Sequence, residues 1–306
     1  MPRSLKWALL AASGLLGAVA ISAMVLYVLG GSRLNRTYDI AVTPLEIVVD
    51  DAAVARGRHL AEAVTLCTAC HGDDLSGGVI LDEPMIATIY ASNLTRGLGG
   101  IGSTYSDVDY VRAIRHGVNA EGRGLMIMHS DAYNKLDAND LAAIIAYVKS
   151  VPAVDNEGLG TRGGVLGRIM LPFGVFDSGP MPLIPAELID HSAPMARAPD
   201  PGRTSEYGRY LVSIALCAGC HGPDLKGAPP VEEGAPPGPD ITVYARAAGW
   251  SEAQFIETIR TGTTPYGRAL NPEFMPWEVY AKMTDDELVA IREFMASLAT
   301  IASVRG

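Results

Sequence analysis

The first long feature of the chain is apolar without a period. From Trp7 to Gly31 there is no charged residue, and Trp7–Leu29 is a run of 23 residues. A helix rises about 1.5 Å per residue, so this run is long enough to cross a hydrocarbon layer about 30 Å thick. Arg3 and Lys6 precede it. Ala18-Val19-Ala20 has the small residues of a signal cleavage site, but the apolar part of a signal spans only about 7–15 residues. Here the run continues past that site through Ile21 to Leu29. The expectation is therefore an uncleaved, single-pass helix of about residues 7–29 within a stub-and-anchor segment 1–36. Cleavage after Ala20 is the alternative.

Further along, the apolar positions take the helical period. Leu141, Ile144, Ile145 and Val148 share one face of a helix, as do Leu288, Ile291, Met295 and Leu298. Ala52–Leu66 and Ser205–Leu216 also read as helices. Ser106 with Asp109, and Ser251 with Gln254, stand at the spacing of an N-cap and its reciprocal partner. Thr284-Asp285-Asp286-Glu287 opens a helix over Glu287–Leu298, and Asp137-Ala138-Asn139-Asp140 opens one over Leu141–Lys149. Asp50-Asp51 fits the positive end of a helix. Alternating runs long enough for a sheet are absent, so the fold class expected is all-α.

These elements occur twice. Gly57-Arg58-His59-Leu60 matches Gly208-Arg209-Tyr210-Leu211, and Asn93-Leu94-Thr95 matches Asp240-Ile241-Thr242. Ile114-Arg115-His116-Gly117 matches Ile259-Arg260-Thr261-Gly262, and Gly122-Arg123 matches Gly267-Arg268. Met128, Tyr133 and Leu141 match Met275, Tyr280 and Leu288 at one offset of 147 residues. Two copies of one unit follow, over 45–153 and 204–303, joined by a segment 154–203.

Composition and charge remove several function classes. The net charge is −10, and residues 1–44 are the only basic region, at +3. An acidic body does not neutralise phosphates, which excludes nucleic acid as a partner. The acidic pairs Asp82-Glu83 and Glu232-Glu233 suit a solvated face, or steering of a basic redox partner that weakens with salt.

All four cysteines lie in Cys67-Thr68-Ala69-Cys70-His71 and Cys217-Ala218-Gly219-Cys220-His221. Cys-x-x-Cys-His is the attachment signature of c-type haem. Two intervening residues put both thiols on one turn, where they add to the two vinyl groups of one porphyrin, and the histidine is then held beneath the iron. A zinc site would gather its cysteine pairs, whereas these are 150 residues apart. A redox dithiol needs no adjacent histidine. The cofactor expected is two covalently bound haem c groups. Such attachment implies the outer face of the inner membrane, with the N-terminus inside and the haem units periplasmic.

With these motifs and the repeat, each half resembles a class I cytochrome c domain. The pair resembles the membrane-anchored dihaem cytochromes c related to subunits of bacterial alcohol and sugar dehydrogenases. The resemblance implies a small helical fold whose terminal helices cross, with Gly57 and Gly208 permitting the close approach. It implies His71 and His221 as proximal iron ligands, and Met275, in Phe274-Met275-Pro276-Trp277, as the distal ligand of the second iron. For the first iron the repeat register selects Met128. Met126 and His129 remain alternatives, because His129 stands where Pro276 stands. His116 aligns with Thr261 and reads as structural. Arg115 and Arg260 are candidates for haem propionates or for plain salt bridges.

Segment 154–203 holds Pro172, Pro180, Pro182, Pro185, Pro194, Pro199 and Pro201, yet Val165–Val175 and Met181–Ile189 are apolar. A flexible tether would be polar. The expectation is a strap packed along both domains, or alternatively a docking face for a partner or the membrane. The loop with Pro229, Pro230, Pro236, Pro237 and Pro239 is expected over a haem edge. The function expected is electron transfer, not catalysis. Electrons would pass from a dehydrogenase or quinol-oxidising complex to a soluble cytochrome or terminal oxidase. A dihaem peroxidase, or a haem subunit of a larger complex, is the alternative.

Overall fold

The computed structural model describes residues 2–177, 182–230, 234–242 and 249–304, with side chains through 298; Glu232-Glu233 and Met181 lie outside the described residues. Helix α1 (Arg3–Leu34) is uninterrupted and solvent-facing until its last turns, and is long and apolar enough to cross a membrane. The first unit follows. Helix α2 (Asp51–His59) is capped by Asp50, whose carboxylate accepts from the Ala53 amide at 2.8 Å. A π turn, Leu60–Val64, leads on to α3 (Cys67–His71). Strands β1 (Gly78–Glu83) and β2 (Ala87–Ala91) come next, then α4 (Asp107–His116), α5 (Ser130–Tyr133) and α6 (Ala138–Ser150).

In the joining segment, β3 (Arg162–Gly163) and α7 (Val165–Met170) precede two short 3-10 turns. The second unit comprises α8 (Ser205–Ile214), α9 (Cys217–His221), α10 (Glu252–Thr261), α11 (Trp277–Tyr280) and α12 (Asp285–Val304). The capping boxes read from sequence are present at Ser106 with Asp109, Ser251 with Gln254 and Thr284 with Glu287.

The all-α expectation needs one correction. The chain is mostly helical, but β1, β2 and β3 form an antiparallel sheet in that order. Gly78 pairs with Ala91 and Glu83 with Ala87, while Ala87 and Thr88 pair with Gly163 and Arg162. The strands are six, five and two residues long, and the third comes from the joining segment. A local search for alternation does not register runs so short. The second unit replaces the hairpin with the proline-rich loop, closed by an Ala228–Gly238 bridge.

The two units differ by one residue where α2 continues towards the cysteines. Ten positions separate Gly57 from Cys67, and nine separate Gly208 from Cys217. The extra residue is absorbed by the π turn, with the Thr65 amide donating to the Leu60 carbonyl five residues back at 2.8 Å. Around this point both helices approach a partner closely. A Cβ on Gly57 would lie 1.8 Å from the Ala143 carbonyl oxygen, and one on Gly208 1.8 Å from that of Ala290. Only glycine permits α2 to cross α6, and α8 to cross α12, at this separation.

The units meet across a pseudo-twofold axis. His59 of the first donates from Nε2 to Glu287 of the second at 2.8 Å. In the repeat, His59 corresponds to Tyr210 and Glu287 to Asp140, and Tyr210 donates to Asp140 at 2.7 Å. Arg56 lies near the axis: it binds Asp140 through Nε at 2.9 Å and reaches its own counterpart, Tyr207, at 3.5 Å. Reciprocal contacts of this kind characterise a twofold interface. A single apolar core runs through both units, with Leu60, Leu141 and Ile145 on one side and Leu211, Ile214 and Leu288 on the other.

Burial alone would raise the Glu287 carboxyl, but hydrogen bonds from His59 and the Thr284 amide, with the nearby charges of His59 and Arg56, outweigh it and hold the group below its ordinary value. The resulting stabilisation is complete above that ordinary value, 4.5, and is lost as pH falls through the lower folded one. Unfolding midpoints of the native chain and Glu287→Gln should therefore converge below about pH 4.5. A constant gap down to pH 3 would remove the carboxylate from this role.

Candidate functional site

Each Cys-x-x-Cys-His turn is a single helical turn held between left-handed residues. Leu66 (φ 53°) precedes the first and Gly72 (φ 78°) ends it, while Leu216 (φ 60°) and Gly222 (φ 79°) do the same for the second. Leu75 and Leu225 repeat the left-handed conformation at φ 58° and 60°. A left-handed leucine is costly for an L-residue. Its recurrence at two matched positions shows that both turns are built to one backbone template. Burial pushes the Cys67 thiol up to about 11 and that of Cys217 up to about 12, so neither pair has the activated thiolate of a dithiol oxidoreductase.

The histidines are oriented alike. His71 Nδ1 lies 2.9 Å from the Ser92 carbonyl and His221 Nδ1 lies 2.8 Å from that of Pro239. A carbonyl only accepts, so Nδ1 carries the proton and Nε2 is left with its lone pair. Burial lowers the pKa of both rings against the opposing pull of these bonds, keeping them neutral. A neutral imidazole with its second nitrogen fixed by a carbonyl is what an iron ligand requires. The buried Trp250 Nε1, Trp277 Nε1 and Tyr110 Oη have no hydrogen-bond partner among the described residues. Of these, Trp277 follows Met275 by two residues, and its orphan N–H suits a carboxylate of a porphyrin. The donor set and its surroundings therefore fit haem.

The methionine loops are tied to the cysteine turns in the same way in both units. Tyr133 Oη donates to the Thr65 carbonyl. Its counterpart Tyr280 donates to the Ala215 carbonyl at 2.6 Å. Met128 and Met275 each stand five residues before the tyrosine, half-buried against the core. His129 has φ −72° and ψ 44° where Pro276 has −74° and 55°, so the two loops enter their short helices with one geometry. The His129 ring packs edge-on against Tyr133 at 6.4 Å.

The loops differ just before the methionine, where the second unit carries two more residues. There Met275 donates its amide to Asn271 within its own loop, at 2.9 Å. In the first unit Ile127, between Met126 and Met128, turns left-handed at φ 62° and its amide donates to Leu183 of the joining segment at 3.0 Å.

Arg115 donates to the carbonyls of Asn134 and Ala193, both at 2.7 Å. Arg260 donates to the carbonyl of Ala281, the counterpart of Asn134, and pairs with Asp285 at 2.7 Å. Both therefore brace the ends of the methionine-loop helices. His116 is buried with its Nδ1 3.1 Å from that of His191, and burial lowers it to about 4. His191, in the joining segment, was not legible from sequence: it has no repeat partner and no motif. In the second unit the proline loop returns to the cysteine turn, since a Cβ on Gly238 would lie 1.6 Å from the Cys220 carbonyl oxygen.

Fold and site together define a haem-binding electron-transfer protein. The cytochrome c family model matches residues 54–152 and 205–299, and the chain belongs to the cytochrome c family. That membership carries covalently bound haem c. Among characterised relatives, the chain is 31% identical over 242 residues to the fructose dehydrogenase cytochrome subunit of Gluconobacter japonicus, covering 72% of this chain and 47% of the relative. It is 26% identical over 319 residues to the alcohol dehydrogenase (quinone) cytochrome c subunit of Gluconacetobacter polyoxogenes, covering 94% and 63%. It is 39% identical over 104 residues to the gluconate 2-dehydrogenase cytochrome c subunit of Pantoea cypripedii, covering 32% and 23%. The chain thus spans less than two thirds of the length of each of these relatives.

Proposed function

We propose that the chain is a dihaem cytochrome c, anchored by α1, that transfers electrons on the periplasmic face of the inner membrane. It would receive them from a dehydrogenase or quinol-oxidising complex and pass them to a soluble cytochrome or terminal oxidase. Three relatives named as dehydrogenase cytochrome subunits support the dehydrogenase as donor. The observation that carries the reading is the duplicated site. In each unit an oriented histidine follows two cysteines, and a tyrosine ties that turn to a loop bearing a methionine.

In this reading the domains are 45–153 and 204–303. When bound, each haem supplies a one-electron ferric–ferrous couple. Cys67, Cys70, Cys217 and Cys220 would hold the two groups covalently, and His71 and His221 would ligate the irons. Met128 and Met275 would supply the second protein ligand to each iron, which would leave no position for oxygen or peroxide and restrict the site to electron transfer. Arg115 and Arg260 hold the methionine loops through Asn134 and Ala281, leaving only their remaining donors for propionates. The joining segment fixes the first methionine loop through Leu183 and so helps set the geometry between the haems.

Near-infrared magnetic circular dichroism of the oxidised protein tests the ligation. Two His/Met signals per chain are expected, and a single one would reopen His129 and an enzymatic role. Replacing Cys67 and Cys70 with alanine should leave one covalent haem per chain, measured by pyridine haemochrome. Two remaining haems would overturn the attachment assignment.

A further inference from the structure

The joining segment does more than connect. Among the described residues outside α1, twelve large apolar side chains are exposed, and six of them surround the C-terminal end of that helix. They are Met85, Val165, Leu166, Phe173, Val175 and Leu188, between 43% and 67% exposed. Met85, at the tip of the β1–β2 hairpin, accepts from the Leu166 amide at 2.8 Å, which places it beside α7. Arg33, in the last turn of α1, donates to the Leu171 carbonyl at 3.2 Å and pairs with Asp177 and Glu187. Those bonds bring Phe173, Val175 and Leu188 to the same end of the helix. The contact is intimate, since a Cβ on Gly30 would lie 2.0 Å from the Arg168 carbonyl oxygen.

Depth along α1 says what this face meets. A span of about 30 Å uses about 20 helical residues, and 20 counted from Trp7 reach Leu26. The next residue is Tyr27, and the Arg168 guanidinium lies over its ring, 5.3 Å from the centroid. An aromatic ring with an arginine laid across it suits the headgroup boundary, where the ring is half in hydrocarbon and the cation reaches water or phosphate. Segment 165–175 meets the helix between that level and Arg33, through Arg168 on Tyr27 and Gly30 and through Leu171 on Arg33, and its buried side, with Gly167 and Leu171, faces the protein.

We propose that Val165–Val175, with Met85 and Leu188, is a second membrane contact, seated in the outer leaflet around the exit of α1. It holds the first unit against the lipid surface. The inference rests on reading α1 as a membrane span. Seated so, the apolar side chains enter the headgroup–acyl boundary by about 5–10 Å.

The test uses purified holoprotein in phosphatidylethanolamine–phosphatidylglycerol vesicles, with single added cysteines at Leu16, Leu98, Leu166 or Phe173. Each is treated with a membrane-impermeant polyethylene-glycol maleimide, normalised to labelling in dodecyl sulfate. Leu98→Cys, exposed but remote from the patch, should react freely. Leu16→Cys, Leu166→Cys and Phe173→Cys should react at least tenfold more slowly. Protection of Leu16→Cys alone would leave the anchor standing and overturn the second contact. Free reaction of Leu16→Cys would overturn the span and the inference with it. Protection of Phe173→Cys in native membranes but not in vesicles would assign the patch to a protein and overturn the lipid reading.

Discussion

Met275→Ala is expected to lower the potential of one haem by about 0.1–0.3 V, a fraction of the roughly 0.8 V range that axial ligands span. Thioether sulfur favours ferrous iron, so removing it favours the ferric state. The same change should open one coordination position per chain, seen as stoichiometric carbon monoxide binding to the reduced protein. Its backbone consequences should be small, because the loop is held by the Met275 amide on Asn271 and by Tyr280 on Ala215, neither of which involves the sulfur. An unchanged potential would show that Met275 is not the ligand. The pair of measurements on Met128→Ala, Met126→Ala and His129→Ala separates the candidates in the first unit. The proposed ligation requires a response from Met128→Ala alone.

Gly208→Ala is expected to destabilise the fold by about 3 kcal/mol or more, above the usual range for overpacking because the obstacle is backbone. The added Cβ would sit 1.8 Å from the Ala290 carbonyl oxygen and 2.4 Å from its carbon, so α8 and α12 must move apart. Separating them disturbs Leu211, Ile214 and Leu288, all buried in the shared core. Gly57→Ala should act alike through Ala143 and Tyr147. Gly202→Ala is the control: nothing lies within 4 Å of its added Cβ, and its change should stay near the ±0.5 kcal/mol of neutral surface substitutions. Denaturant midpoints of the three holoprotein variants decide the matter. Equal midpoints for Gly208→Ala and Gly202→Ala would mean that the crossing tolerates a side chain.

What could be read in the sequence was what is local or duplicated. The caps at Ser106 and Ser251 each close within four residues, the serine hydroxyl accepting from the amide three residues on and that residue's side chain accepting from the serine amide. The crossing glycines were legible through the family resemblance, and the geometry at Ala143 and Ala290 gives the physical reason. The sheet was not legible, since β3 reaches β2 from more than 70 residues away. The interface between units was not legible either. His59, Asp140, Tyr210 and Glu287 look like ordinary polar residues of amphipathic helices, and only the fold brings them into reciprocal pairs. The ten-against-nine spacing before the cysteines was visible in the chain, but its resolution as a π turn needed the backbone.

The reciprocal interface has a bearing on direction. In the proposed relay the halves meet through corresponding positions that differ in charge: His59 with Glu287 on one side, Tyr210 with Asp140 on the other, and Arg56 where its counterpart is Tyr207. Net direction is set by the potentials of donor and acceptor, and features that break the symmetry decide which half each of them would meet. Besides the interface pairs, these are the two residues added before Met275, the Leu183 carbonyl that props the loop of Met128, and the sheet that, among the described residues, belongs to the first unit. A duplicated unit thus keeps the positions of its joint while side chains and loops around it diverge.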